Sequence, residues 1–89
     1  MTTDKTRERL RFRSWHRGTR EIDLLLGSFA DMHLHAFTPE QLAHYDALLH
    51  ENDPDLYDWI TGVQPVPEAH DSDVMKLLRT HRFTNTKAV

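Results

Sequence analysis

Residues 38–62, TPEQLAHYDALLHENDPDLYDWITG, carry the helix signals that decide the fold. Thr38 is a good N-cap, Pro39 suits the first helical position, and Gln41 completes a capping box. The four apolar residues that follow have the spacing of one buried helical stripe: Leu42, Tyr45, Leu48 and Leu49. We therefore predict a helix that begins at Thr38.

The second half of this stretch repeats the pattern. Asp53 is predicted to cap a further helix, which Pro54 opens. Gly62 is predicted to end it, because glycine readily adopts the left-handed conformation found at helix C-termini. Three residues of this helix are predicted to face inward: Leu56, Trp59 and Ile60. Two capped helices in succession, without the alternation typical of a sheet, favour an all-helical fold.

Two more helices are predicted before this stretch, over about residues 4–15 and about residues 19–37. The apolar face of the second one is predicted to contain Ile22, Leu25, Leu26, Phe29 and Met32. Gly27 in its interior costs about 1 kcal/mol relative to Ala. A glycine at that cost predicts that another helix approaches closely there.

A fifth helix is predicted to begin at Asp71 or Ser72. Its inward-facing residues are predicted to be Val74, Leu77 and Leu78. The tail after Phe83 is predicted to be loose. The predicted fold class is therefore all-α, a compact bundle of five short helices. We expect it to form one domain over residues 1–89, with an ordered core at about residues 5–83.

The composition excludes several classes of protein. At 89 residues the chain holds one domain with a modest core. It has no cysteine, which excludes disulfides, cysteine-ligated metals and thiol catalysis. The longest uninterrupted apolar run, Leu24 to Leu26, is far shorter than the roughly 20 residues that span a bilayer. We therefore predict no membrane insertion.

The first residues, MTTDKTRERLRF, bear on the location of the protein. They lack the apolar region of a secretory signal. They are rich in arginine, as mitochondrial transit peptides are, but Asp4 and Glu8 interrupt the arginine series. We therefore predict a bacterial cytoplasmic protein.

Charge is distributed in three blocks along the chain. Residues 1–20 carry seven basic and two acidic side chains, and residues 21–75 carry twelve acids and no lysine or arginine. Residues 76–89 carry four basic side chains and no acid. The basic first block, with Phe12 and Trp15 interleaved, is also typical of a nucleic-acid-binding or regulatory protein-interaction module. Because the acidic middle block would repel phosphates, we predict no nucleic-acid partner.

The seven histidines do not have the spacing of a metal site. His33 and His35 lie about 200° apart around a helix, whereas the ligands of zinc must converge. Asp53, Asp55 and Asp58 resemble a calcium loop, but other residues fill the glycine and glutamate positions that an EF-hand requires. No nucleophile motif or phosphate-binding glycine loop is present. We predict no bound metal, no catalytic residue and no enzyme activity.

The remaining candidate is the turn between the first two helices, residues 16–21, HRGTRE. Gly18 permits a backbone conformation that other residues resist, and its missing side chain lets a partner's backbone come close. Two guanidinium groups and a carboxylate beside it suit a partner of mixed charge. We predict that this turn docks onto another protein through His16, Arg17, Gly18, Arg20 and Glu21.

Two stretches resemble the succinate dehydrogenase FAD assembly factor family, the SdhE-like flavinylation factors. Residues 12–31, FRSWHRGTREIDLLLGSFAD, are similar to the family signature. Residues 53–59, DPDLYDW, resemble its second conserved block. The resemblance covers about residues 8–83, which is nearly the whole chain.

The resemblance implies a five-helix bundle that binds the flavoprotein subunit of succinate dehydrogenase, and in some bacteria that of fumarate reductase. It implies that the protein promotes covalent attachment of FAD to a histidine of that subunit, so FAD is the cofactor of the client. Arg17, Gly18 and Glu21 match the family's Arg-Gly-x-x-Glu docking motif. Thr19 stands where the family commonly has Met, which affects one apolar contact with the client. The resemblance assigns no FAD-binding residue to this chain.

Overall fold

The computed structural model describes residues 3–81, which form five α-helices and two short 3₁₀ helices. The α-helices are α1 (Thr3–Trp15), α2 (Arg20–His33), α3 (Pro39–Leu49), α4 (Asp53–Thr61) and α5 (Asp73–Thr80). The 3₁₀ helices, Leu34–Ala36 and Glu68–His70, follow α2 and precede α5. No strand occurs within residues 3–81, and the predicted all-α class with five helices is confirmed. The predicted loose tail after Phe83 lies outside the described residues.

Side-chain caps set the starts of the helices. Thr38 accepts the backbone N–H of Gln41, and the Gln41 side chain accepts the N–H of Thr38, which confirms the predicted capping box. Ser72 caps α5 by accepting the N–H of Met75, so the second of the two predicted starts is the observed one. Gly62 ends α4 with a φ of +86°, as predicted.

The predicted cap of α4 is wrong by one residue. Asn52 caps this helix, and its side chain accepts the N–H of Asp55 at 3.0 Å. Asparagine and aspartate cap helices about equally well, so local preference does not choose between Asn52 and Asp53. The Asp53 carboxylate is instead held by Arg17, whose Nε lies 2.8 Å from it. A contact between distant parts of the chain therefore decides where α4 begins.

The second helix is shorter and less apolar than predicted. Its α-helical part ends at His33, where the chain tightens into the 3₁₀ helix Leu34–Ala36. The side chain of Met32 is 58% exposed, so its predicted place on the buried face is wrong. Met32 lies about 80° around the helix from the centre of that face, which puts it at the edge of the buried stripe.

All five helices contribute to one hydrophobic core. Its largest fully buried apolar side chains are Tyr45, Phe29, Leu10, Ile22, Leu26, Leu48, Leu56, Met75, Leu78 and Val74. The predicted inward face of α3 is confirmed at all four positions. In α4 and α5, Trp59 and Leu77 are only partly buried against this core. No helix within residues 3–81 is long and apolar enough to cross a bilayer.

Gly27 marks the closest approach of α1 to α2. The indole ring of Trp15 packs over Gly27 and fills the space that a Cβ atom would occupy there. The predicted close approach of another helix is therefore confirmed. Because Trp15 is the last residue of α1, this contact fixes the point from which the turn into α2 starts.

Candidate docking site

The turn between α1 and α2 is held in an unusual backbone conformation. Gly18 has a φ of +130°, which side-chain-bearing residues rarely adopt. A Cβ atom built at Gly18 would meet no atom within 4 Å, so the glycine is required by conformation and not by lack of space. Thr19 then caps α2 by accepting the N–H of Ile22. The turn therefore exposes a patch of bare backbone at the start of a helix.

The guanidinium group of Arg17 points into the protein. Its side chain is only 11% exposed, and its Nε donates to a carboxylate oxygen of Asp53 at 2.8 Å. Its two terminal nitrogens donate to the carbonyls of Leu49 at 2.6 Å and Glu51 at 2.8 Å. Arg17 thus ties the turn to the connection between α3 and α4. With its donors used in this way, Arg17 positions the turn instead of presenting a fork to a partner.

Asp23 holds the same turn from the side of α2. Its carboxylate accepts the backbone N–H of Arg17 at 2.6 Å and that of Gly18 at 3.2 Å. Both N–H groups precede the helix and have no carbonyl partner within it, so a carboxylate is a favourable acceptor for them. The turn is therefore fixed through both the side chain and the backbone of Arg17.

Four of the five predicted docking residues face solvent together: His16, Gly18, Arg20 and Glu21. The His16 ring stacks on Phe12 with a centroid distance of 4.0 Å, and its Nδ1 lies 2.7 Å from the Phe12 carbonyl. Nδ1 therefore carries the proton and donates it to that carbonyl. Glu21 stands at the second position of α2, where the helix dipole favours a carboxylate.

Sequence reasoning missed three residues that shape this site. Asp23 and Asp53 anchor the turn, and Phe12 supports His16 at its edge. Asp53 belongs to the second stretch that carries the family resemblance, which was the available signal for its importance. Phe12 and Asp23 belong to the first such stretch, residues 12–31, which was the corresponding signal for them.

Burial and hydrogen bonding shift the pKa of groups elsewhere in the bundle. Burial raises the pKa of the Tyr45 hydroxyl on α3 above its usual value. Burial, and to a lesser degree the nearby His35, lowers the pKa of His33 on α2. A hydrogen bond from the Gln41 amide lowers the pKa of Asp73 on α5. These shifts reflect helix packing and capping, and they lie outside the turn.

The structure also places the other candidate ligands. His33 is half-buried beside Phe29 and Phe37, whereas His35 is exposed. Asp53 is committed to Arg17. No group of three or more histidine, aspartate or glutamate side chains within residues 3–81 is arranged to hold a metal ion.

Length and fold define the chain as a small all-α protein. Its residues 8–82 match the family described as flavinator of succinate dehydrogenase. The protein named succinate dehydrogenase assembly factor 2, mitochondrial, of Dictyostelium discoideum is 44% identical over 78 residues, which cover 88% of this chain and 55% of that protein. The chain therefore belongs to the flavinator of succinate dehydrogenase family, and the resemblance seen in the sequence is confirmed.

Insect relatives give the same result. Succinate dehydrogenase assembly factor 2-A, mitochondrial, of Drosophila yakuba is 46% identical over 77 residues, which cover 84% of this chain and 48% of that protein. The 2-B protein of Drosophila ananassae is 44% identical over 80 residues, which cover 88% of this chain and 49% of that protein. The chain thus spans about half the length of these curated relatives.

The relatives also overturn the predicted location. The relatives are named as mitochondrial proteins, which contradicts the predicted bacterial cytoplasmic location. The prediction was wrong because it relied on the acids that interrupt the arginine series. Asp4 and Glu8 both lie within α1, so these acids belong to a folded helix and do not indicate the location of the protein in the cell.

Proposed function

We propose that this protein is an assembly factor that binds the flavoprotein subunit of succinate dehydrogenase and promotes covalent attachment of FAD to that subunit. The same docking chemistry extends to the flavoprotein of fumarate reductase. The proposal rests on the exposed Gly18 turn of a chain that belongs to the flavinator family. FAD is the cofactor of the client, and the covalent bond forms within the client.

The docking motif divides into residues that touch the client and residues that hold the turn. Gly18 leaves bare backbone against which a client backbone packs closely. Arg20 and Glu21 are exposed beside it and offer charges of both signs. Arg17 holds the turn in position from inside the protein, because its guanidinium is already bonded to Asp53 and to the α3–α4 connection.

The mechanism we propose is conformational. A protein that binds one arrangement of the client more tightly than others raises the population of that arrangement. Attachment of FAD requires the flavin and the acceptor histidine to be held together in the client. Docking of the rigid turn favours that arrangement, so the assembly factor needs no catalytic group of its own.

Substitution of Gly18 tests the proposal. Gly18→Arg fills the bare patch and strains the backbone at a φ of +130°. Apo-flavoprotein, FAD and either wild-type or variant protein are combined, and covalent flavin is followed by in-gel fluorescence. We expect the yield with Gly18→Arg to fall to the level seen without any assembly factor.

Gly62→Arg is the matched control. Gly62 also has a positive φ, +86°, but it ends α4, away from the turn. This variant also places an arginine at a positive φ and adds the same charge, and we expect it to keep the wild-type yield. Equal yields with wild type and Gly18→Arg would remove Gly18 from the docking site. Equal yields with and without the wild-type protein would overturn the proposed function.

A further inference from the structure

The arginines of α1 divide into an inner and an outer set. Arg7 faces inward, where its Nε and one terminal nitrogen donate to the carbonyls of Leu34 and Phe37, each at 2.7 Å. Arg13 donates to the carboxylate of Asp46 at 2.8 Å. The fold therefore explains this inner set, since each member satisfies acceptors on another element.

Of the two outer arginines, Arg9 belongs to a continuous stripe along the exposed side of α1. Lys5, Arg9 and Phe12 follow one another at intervals of four and three residues, which places them on one face of α1, and His16, the residue after α1, continues this line. We call these four residues the α1 stripe. All four are exposed, and 64% of the Phe12 surface is open to solvent. The stripe combines two permanent cations with a large apolar ring.

No contact within residues 3–81 accounts for the stripe. Lys5 and Arg9 form no hydrogen bond or ion pair there, and Phe12 contacts only the neighbouring ring of His16 among the aromatic groups. Arg11, beside the stripe, is 61% exposed and lies 3.6 Å from Asp31. An exposed aromatic ring flanked by unpaired cations is typical of a surface that binds another molecule.

The stripe also runs directly into the docking turn. His16 is a member of both, and it stacks on Phe12 and bonds to the Phe12 carbonyl, so the two surfaces are continuous. A partner seated on Gly18 would therefore meet the end of the stripe without any change in this protein.

We propose that the α1 stripe binds an acidic segment of the client flavoprotein, with client carboxylates on Lys5 and Arg9 and an apolar client group against Phe12. This inference rests on the proposed function and extends its docking surface along α1. The occupant follows from continuity and charge, because the stripe ends at His16 of the proposed docking turn and its Lys5 and Arg9 suit carboxylates on the same client. Nucleic acid fits less well, since those acids repel phosphates and the inner arginines are already bonded.

Affinity for the apo-flavoprotein subunit tests the inference. Arg9→Glu and Phe12→Ala alter exposed side chains, so both variants are expected to fold, which circular dichroism checks. We expect each to weaken binding roughly tenfold in a titration by calorimetry, as truncation of an interface anchor does. The loss for Arg9→Glu should shrink at high salt because screening weakens charge pairs, whereas the loss for Phe12→Ala should remain.

Matched controls come from exposed residues elsewhere. Lys76→Glu makes the same charge change on α5, and Val63→Ala removes an apolar side chain that is 65% exposed after α4. Both should bind the flavoprotein like wild type.

Wild-type affinity for Arg9→Glu and Phe12→Ala, together with weakened binding by Gly18→Arg, would overturn the proposed role of the α1 stripe and leave the proposed function standing. Loss of binding to a short DNA duplex, with flavoprotein binding unchanged, would also overturn it. Failure of the wild-type protein to bind would overturn both proposals.

A second measurement identifies the client side of the contact. A carbodiimide joins lysine amines directly to carboxylates that lie beside them. In the complex we expect Lys5 to be joined to an aspartate or glutamate of the flavoprotein, which mass spectrometry locates. Cross-links from Lys76 without any from Lys5 would contradict the proposed path of the client along α1.

Discussion

Arg17 belongs to the proposed docking turn, although its guanidinium group points into the protein. Leu49 is the last residue of α3, so its carbonyl has no donor within the helix. Arg17 supplies that donor, and its positive charge lies at the negative end of the α3 dipole. The same guanidinium reaches Glu51 and Asp53, which join α3 to α4. The planar guanidinium of arginine holds its N–H donors in a fixed arrangement that suits these three acceptors. The ammonium of lysine, on its flexible side chain, does not match that arrangement.

Arg17→Lys is therefore expected to destabilise the protein although it keeps the charge. A lysine satisfies only part of the acceptor set, and each buried acceptor left without a donor costs about 1–3 kcal/mol. We expect the free energy of unfolding in urea to fall by about 1–3 kcal/mol and the covalent flavin yield to fall with it. Arg20→Lys on the same turn is the control, because Arg20 is exposed. A stability of Arg17→Lys within about 0.5 kcal/mol of wild type would contradict the positioning role.

The close packing of α1 against α2 depends on the contact between the Trp15 indole and Gly27. Gly27→Ala places a methyl group where the Trp15 indole now lies. Alanine stabilises a helix by about 1 kcal/mol relative to glycine. Displacement of the packed Trp15 ring destabilises the protein by about 1–3 kcal/mol, which outweighs that gain. We expect a net destabilisation of about 1 kcal/mol in urea, together with a red shift of tryptophan fluorescence as the indole moves toward water.

Removal of the indole should reverse the sign of that effect. In a Trp15→Leu background the new methyl group meets no ring, so Gly27→Ala should stabilise the protein by up to about 1 kcal/mol. A cost that is the same in both backgrounds would show that the Trp15 contact is not what requires glycine at residue 27.

The helices were predictable from the sequence where their starts, ends and buried faces depend on residues nearby in the chain. The capping box at Thr38, the glycine end at Gly62 and the buried stripe of α3 depend on neighbours within a few residues. The start of α4 was misplaced because Asn52 and Asp53 are equivalent locally, and a distant arginine distinguishes them. The sequence likewise indicated a close contact at Gly27 without specifying which side chain makes it.

The sequence did not separate the inner and outer members of the candidate turn. Arg17 and Arg20 are the same residue type three positions apart, and only the folded bundle brings Leu49 and Glu51 beside one of them. Backbone carbonyls have no sequence signature as partners, so no pattern could reveal that Arg17 faces inward.

At the scale of the whole molecule, the three charge blocks become partly complementary. The basic first block lies in α1 and the turn, and it meets the acidic middle block through Arg13 with Asp46 and Arg17 with Asp53, each pair at 2.8 Å. The middle block thus supports the fold as well as solubility. Of the cations of this block without an ion-pair partner within residues 3–81, Lys5 and Arg9 lie on the exposed side of α1, where the further docking surface is proposed, and Arg20 lies at the start of α2.

Burial of the Tyr45 hydroxyl links the stability of the whole bundle to pH. The Tyr45 hydroxyl lies 2.6 Å from the Ser14 hydroxyl, a pair in which either group can donate, and it donates to the Leu26 carbonyl at 3.4 Å. This arrangement needs the protonated phenol, and burial raises the pKa of Tyr45 above its ordinary value of 10.0. A group whose folded pKa is raised contributes its full stability below the unfolded pKa and loses it as the pH rises above that value.

We therefore expect alkaline conditions to destabilise wild type more than Tyr45→Phe, because only wild type must keep a buried phenol protonated while the unfolded chain ionises. Between about pH 9 and about pH 11 the extra loss should be about 1.4 kcal/mol, which urea denaturation at several pH values measures. Near neutral pH the same variant should lose about 1 kcal/mol, the net value of one hydrogen bond. Tyr57→Phe is the matched control, because Tyr57 is exposed on α4. It should follow the wild-type curve, whereas parallel curves for wild type and Tyr45→Phe would show that Tyr45 does not couple folding to pH.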